Sequence, residues 1–79
     1  SNLDEDIAKI FIESELKMTK QISELLVENG FAKKNIEEKV HIFTNMIDNY
    51  CHEVVYHKHK DLDYDAMKEE IINIIVNIL

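Results

Sequence analysis

Along the first third of the chain, Leu3, Ile7, Ile10, Phe11, Met18, Ile22, Leu25 and Leu26 recur in steps of three and four, with Ser14 at the same phase. At about 100° per residue these positions share one side of a helix, so the pattern predicts an amphipathic helix over residues 3–29 with that stripe turned inward. Asn2 and Glu5 have the spacing of a capping box. Gly30 suits the left-handed position that closes a helix, with Phe31 folding back on Leu26. Ile12, Leu16 and Val27 fall on the back of this helix. Ile12 and Leu16, neighbours at i and i+4, suit a helix that packs against further helices.

The second periodic segment spans residues 35–58. Ile36, Val40, Phe43, Ile47, Tyr50, Cys51 and Val54 form its apolar stripe, and His41, Asn45, Asp48 and His52 share a polar side. Asn35 has the position of an N-cap answered by Glu38, three residues on. A third helix is expected over residues 63–79, with Asp63 as its N-cap and Leu62 and Met67 spaced as a hydrophobic staple.

Its ending, "IINIIVNIL", holds seven apolar residues and no charge. Taken alone it could be a strand, since isoleucine and valine favour sheets, but the preceding "DAMKEE" argues for a helix. On a helical wheel Met67, Ile71, Ile74 and Ile78 form one face and Ile72, Ile75, Val76 and Leu79 an adjacent one. Glu69, Glu70, Asn73 and Asn77 are the clearly polar remainder. The apolar arc covers roughly 200°, twice an ordinary core stripe. Two partner helices cannot easily cover it, and an uncharged β-branched segment left in water is prone to aggregate. A second copy related by a two-fold axis would bury it, so a homodimer is expected; the alternative is a central core helix of a larger domain.

Composition agrees with an all-α chain: there is one glycine and no proline, and 46% of residues are hydrophobic. A chain of 79 residues is a single domain at most, and one this short hides only about 60% of the surface it exposes when unfolded. Nine lysines, no arginine and sixteen carboxylates give a formal net charge of −7, which repels a phosphate backbone and argues against direct nucleic-acid binding. The single Cys51 excludes an internal disulfide. Nothing resembles a signal peptide or a run of about 20 apolar residues, so a soluble, reducing, cytoplasmic setting without membrane contact is expected. Ser1-Asn2 reads as a cloning remnant, which suggests an excised piece beginning at Leu3.

Chemistry is sparse. "CHEVVYHKHKD" offers Cys51, His52, Glu53, His57, His59 and Asp61 as metal ligands, yet Cys51 and His52 lie about 100° apart on one helix, and the pairs Glu53/His57 and Asp48/His52 supply two ligands each. Zinc sites need three or four, so no metal and no cofactor are expected. Cys51 near a helix C-terminus has the character of a packing residue. Tyr50, Tyr56 and Tyr64 gather around the join of the last two helices as packing groups. One glycine cannot build a phosphate loop, and Ser14 and Ser23 have no evident triad, so an enzyme is not expected.

From "ISELLVENGFAKKNIEEKVHIFTNMIDNYCHEVV" to "HKHKDLDYDAMKEEIINIIVNIL" the chain resembles the C-terminal end of tetracycline-repressor-type (TetR-type) regulators. In that family a helix closing on a glycine and an aromatic, as in "ENGF", is followed by a long helix, a short acidic turn, here "DLDYDAM", and a greasy final helix. The resemblance implies a dimer formed by a four-helix bundle of the last two helices of each subunit, with Phe43, Ile47, Tyr50 and Val54 near Ile71, Ile72, Ile75, Val76 and Leu79. It also implies a small-molecule effector in the full-length protein, for which Phe11, Ile12 and Met18 are candidate lining residues, and DNA contact only through an N-terminal helix-turn-helix domain that this sequence lacks. Two alternatives stand beside it: a small helical metal-binding protein using His52, His57 and His59, and a stand-alone helical interaction module.

Overall fold

The computed structural model describes residues 2–79. Ser1, read with Asn2 as a cloning remnant, lies outside them. Three α-helices follow one another: α1 (Leu3–Glu28), α2 (Ile36–Tyr56) and α3 (Tyr64–Ile78). There is no strand among the described residues, so the expectation of an all-α chain holds, and "IINIIVNIL" is helical up to its last residue.

Local chemistry sets most of the boundaries. Asn2 accepts a hydrogen bond from the Glu5 N–H at 3.2 Å, satisfying one of the donors that a helix start leaves unpaired. At the other end of α1, Gly30 adopts φ +95°, the Gly30 N–H donates to Val27 O at 3.0 Å and the Phe31 N–H donates to Leu26 O at 3.1 Å. That pair of bonds is the Schellman motif, which needs a residue free to take positive φ. Asp63 caps α3 by accepting from the Asp65 and Ala66 N–H groups, both at 3.1 Å.

Asn35 departs from expectation. It sits at φ 55° and its side chain caps nothing. The left-handed backbone takes the residue out of the extended conformation from which an N-cap side chain reaches back, and α2 starts instead through Ile36 N–H donating to Lys33 O at 3.2 Å.

Helix α2 is the centre, with α1 packed on one part of it and α3 on another; α1 and α3 do not pair with each other. The buried core is small: Ile36, Val40 and Phe43, ringed by Ile22, Leu26 and Val27 of α1, Met46 of α2, and Ile75, Ile78 and Leu79 at the end of the chain. It lies where the end of α1, the start of α2 and the end of α3 converge. The whole measures 45 × 37 × 14 Å, one helix layer thick. Its radius of gyration is 15.4 Å, against about 12 Å for a compact chain of this length.

The face of α1 that meets α2 is turned away from the expected one and keeps only Ile22 and Leu26 of the predicted stripe against the core. Thr19 and Ser23, 2% and 3% exposed, are its buried residues, and Val27, assigned to the back, packs on the core. Leu3, Ile7, Ile10, Phe11, Met18 and Leu25 of the expected inner stripe are exposed. Short side chains let two helix backbones approach, and both hydroxyls are satisfied: Ser23 Oγ donates to Thr19 O at 2.7 Å, and Thr19 Oγ1 hydrogen-bonds His41 Nδ1 at 3.1 Å. Every residue from Leu3 to Met18 is exposed, so about 24 Å of α1 projects beyond the core.

Candidate functional site

The α2–α3 elbow fixes the most apolar helix in place. Tyr64, at the first position of α3, is buried. Its Oη accepts from the His59 N–H at 2.9 Å, its carbonyl accepts from Tyr50 Oη at 2.9 Å, and the two rings lie 6.3 Å apart. Lys58 Nζ stands 5.4 Å from the centre of the Tyr64 ring. Through its side chain and its carbonyl, this one residue ties the connecting loop, α2 and the start of α3 together. Tyr56, expected in the same cluster, is instead exposed and stacks on His52 with ring centres 4.8 Å apart.

With the elbow set, α3 runs back along α2 and half-buries Met67, Ile71, Ile75, Ile78 and Leu79. This packed face straddles the two faces drawn from the wheel. Ile72, Ile74 and Val76 are left exposed, and on α2 so are Ile42, Ile47 and Val55. The greasy arc of α3 is wider than α2 can cover.

The nine residues expected at a dimer interface divide accordingly. Phe43 is 8% exposed and belongs to the chain's own core, leaving it almost no surface for a second subunit. Ile75 and Leu79 pack against that same core. Tyr50, Val54 and Ile71 are half-buried, Tyr50 and Ile71 lining a shallow groove with Met46, Asn49, Glu53 and Met67. Ile47, Ile72 and Val76 are the exposed members. Ile42 and Val55 join them as apolar surface that periodicity had not singled out, and Ile74, drawn on one apolar face of the α3 wheel, is exposed as well.

Phe11, Ile12 and Met18, expected to line an effector pocket, are exposed on the projecting half of α1. Phe11 and Met18 lie on its outward stripe, and Ile12, the next residue after Phe11, points about 100° away from it. They do not converge on an enclosed space.

Cys51 corrects another expectation: it is exposed, not a packing residue. Helix α1 touches only the N-terminal part of α2, and α3 covers Tyr50 and Val54 but leaves Cys51 open. His52, His57 and His59 come near one another, with ring centres 5.2 Å apart for the first two and 6.3 Å for the last two, and His59 Nε2 lies 3.7 Å from Glu53 Oε1. Among the described residues, however, no group of three or more His, Cys, Asp or Glu side chains is arranged to hold a metal ion. His41, on the same helix, is engaged with Thr19 well away from this cluster.

No described helix is long and apolar enough to cross a membrane. The chain matches no family model, no curated protein and no solved structure.

Proposed function

We propose that the chain is a dimerisation module: the C-terminal part of a TetR-type transcriptional regulator, in which α2 and α3 of two subunits form a four-helix bundle that sets the separation of two DNA-reading domains. The observation that carries this reading is the single-layer architecture. Stable domains bury apolar faces between two or more layers of secondary structure, and here one layer, 14 Å thick, leaves Ile47, Ile72 and Val76 uncovered on adjacent helices. A second copy laid on that side by a two-fold axis supplies the missing layer with the same residues that need covering. The order of helix, glycine–aromatic stop, long helix, acidic turn and greasy helix supports the TetR-type assignment.

In such a regulator the bundle acts mechanically. Half-site spacing on DNA is set by the dimer, and a small effector works by binding one arrangement of the subunits more tightly than another. The acidic surface is compatible with a part that stays off the DNA. The chain is a binding module in this reading and carries out no catalysis.

Sedimentation equilibrium of the 79-residue chain tests it. A dimer is expected, unaffected by chelator and dissociated by Ile72→Asp combined with Val76→Asp. Both positions are exposed, so circular dichroism should be unchanged in the variant. Fused behind a monomeric helix-turn-helix domain, the chain should confer tight binding to paired half-sites and the double variant should not. A folded monomer at every concentration would overturn the proposal.

A further inference from the structure

The outward stripe of α1 is separate from the α2–α3 surface and has its own regularity. From Leu3 the apolar phase advances four, four and three residues to Ser14, then four, four and three again to Leu25. Eleven residues in three turns come to about 3.67 per turn, close to the natural α-helical period, so the stripe runs nearly parallel to the helix axis instead of winding round it. A partner helix can follow it from Leu3 to Met18 without supercoiling. Leu3 is 72% exposed and Phe11 66%, and Ile7 and Met18 are exposed with them, so nothing in the chain covers these positions; of the residues in this phase, Ile22 alone packs against the core.

The flanks select the occupant. By the helical wheel Asp4 and Glu15 border one side of the stripe, and Asp6, Glu24 and Glu28 border the other, with Lys17 as the one cation beside them. A second α1 laid antiparallel across Ser14 would bring the two copies' Glu15 side chains to the same flank of the crossing, and like charges so placed repel. A helix with lysine or arginine on both flanks meets complementary charge instead. We infer that the outward face of α1 docks a straight, basic amphipathic helix of a partner protein, its apolar residues spaced in the same eleven-residue pattern. This rests on α1 alone and does not depend on the dimer formed through α2 and α3.

The test uses two synthetic helices of about two eleven-residue repeats, identical in their apolar positions, one flanked by lysine and the other by glutamate. Titrated against the full chain by fluorescence anisotropy, the lysine-flanked peptide should bind, more weakly as salt is raised, and at least about tenfold more tightly than the glutamate-flanked one. Phe11→Ser with Ile7→Asp should weaken binding by about tenfold or more while leaving helix content unchanged, because neither side chain is part of the core. Ile72→Asp with Val76→Asp should leave peptide binding intact whatever it does to the sedimenting mass. Equal binding of both peptides, binding of neither, or a fall in sedimenting mass caused by the α1 variant in place of a loss of peptide binding would overturn the inference; the last would assign the stripe to a second copy.

Discussion

Individual residues carry a large share of this chain's definition because its core is so small. Gly30 is the clearest case: at φ +95° it closes α1, and no atom lies within 4 Å of where a Cβ would stand, so the cost of any side chain there is conformational and not steric. Gly30→Ala should destabilise the fold by about 1 kcal/mol, read as a lowered denaturant midpoint with an unchanged slope. Asp63→Ala should cost a similar amount, about 1 kcal/mol, by leaving the Asp65 and Ala66 N–H groups without their acceptor; Asp63→Asn should recover most of it. Asn35 is the opposite case, a capping residue type whose side chain caps nothing. Spacing to Glu38 suggested a reciprocal pair, but a backbone in the left-handed region decides the matter locally and spacing carries no information about it.

At the scale of helices, stability is uneven. The first sixteen residues of α1 bury no side chain, whereas the segment from Thr19 to Val27 is pinned to α2. An isolated helix of that length is marginal in water. Amide exchange should therefore be fast from Leu3 to about Met18 and slower from Thr19 onward; uniform protection along α1 in the monomer would contradict the packing described. All three helices and their approximate ends were legible in the sequence, because periodicity, the glycine stop and the aspartate cap are local signals. The choice of packing face on α1 was not. Apolar residues dominate one side of that helix, yet the side with Thr19 and Ser23 is the one pressed on α2, since a close helix crossing rewards small size and the hydroxyls find partners in Thr19 O and His41. Small residues four apart were the available signal. Cys51 went astray for a related reason: its phase on α2 is apolar, but α1 ends its contact before reaching it, and where two helices part company is a property of their crossing, not of either sequence.

For the molecule as a whole, the uncovered apolar surface makes folding and association one problem. If two chains join through α2 and α3, the midpoint of thermal unfolding should rise with protein concentration, and Ile72→Asp with Val76→Asp should abolish that dependence; a midpoint independent of concentration would mean the layer stands alone. Ile75→Asp is a poor substitute for this purpose. Ile75 packs against the buried cluster of Ile36, Val40 and Phe43, so the change would damage the fold and the interface together. The same division explains how far the site could be foreseen: the width of the α3 arc announced excess apolar surface, but which of its residues α2 would take was settled by the Tyr64 elbow, a link between buried ring, loop and helix end that no periodic pattern records.

The slab shape also has a hydrodynamic side. A plate 45 × 37 × 14 Å drags more water than a sphere of equal mass, so the single chain should sediment slowly for its 9.3 kDa. Two plates stacked face to face are closer to a sphere than either one. On pairing, the sedimentation coefficient should therefore increase by more than the doubled mass alone would give, and pairing edge to edge should increase it by less.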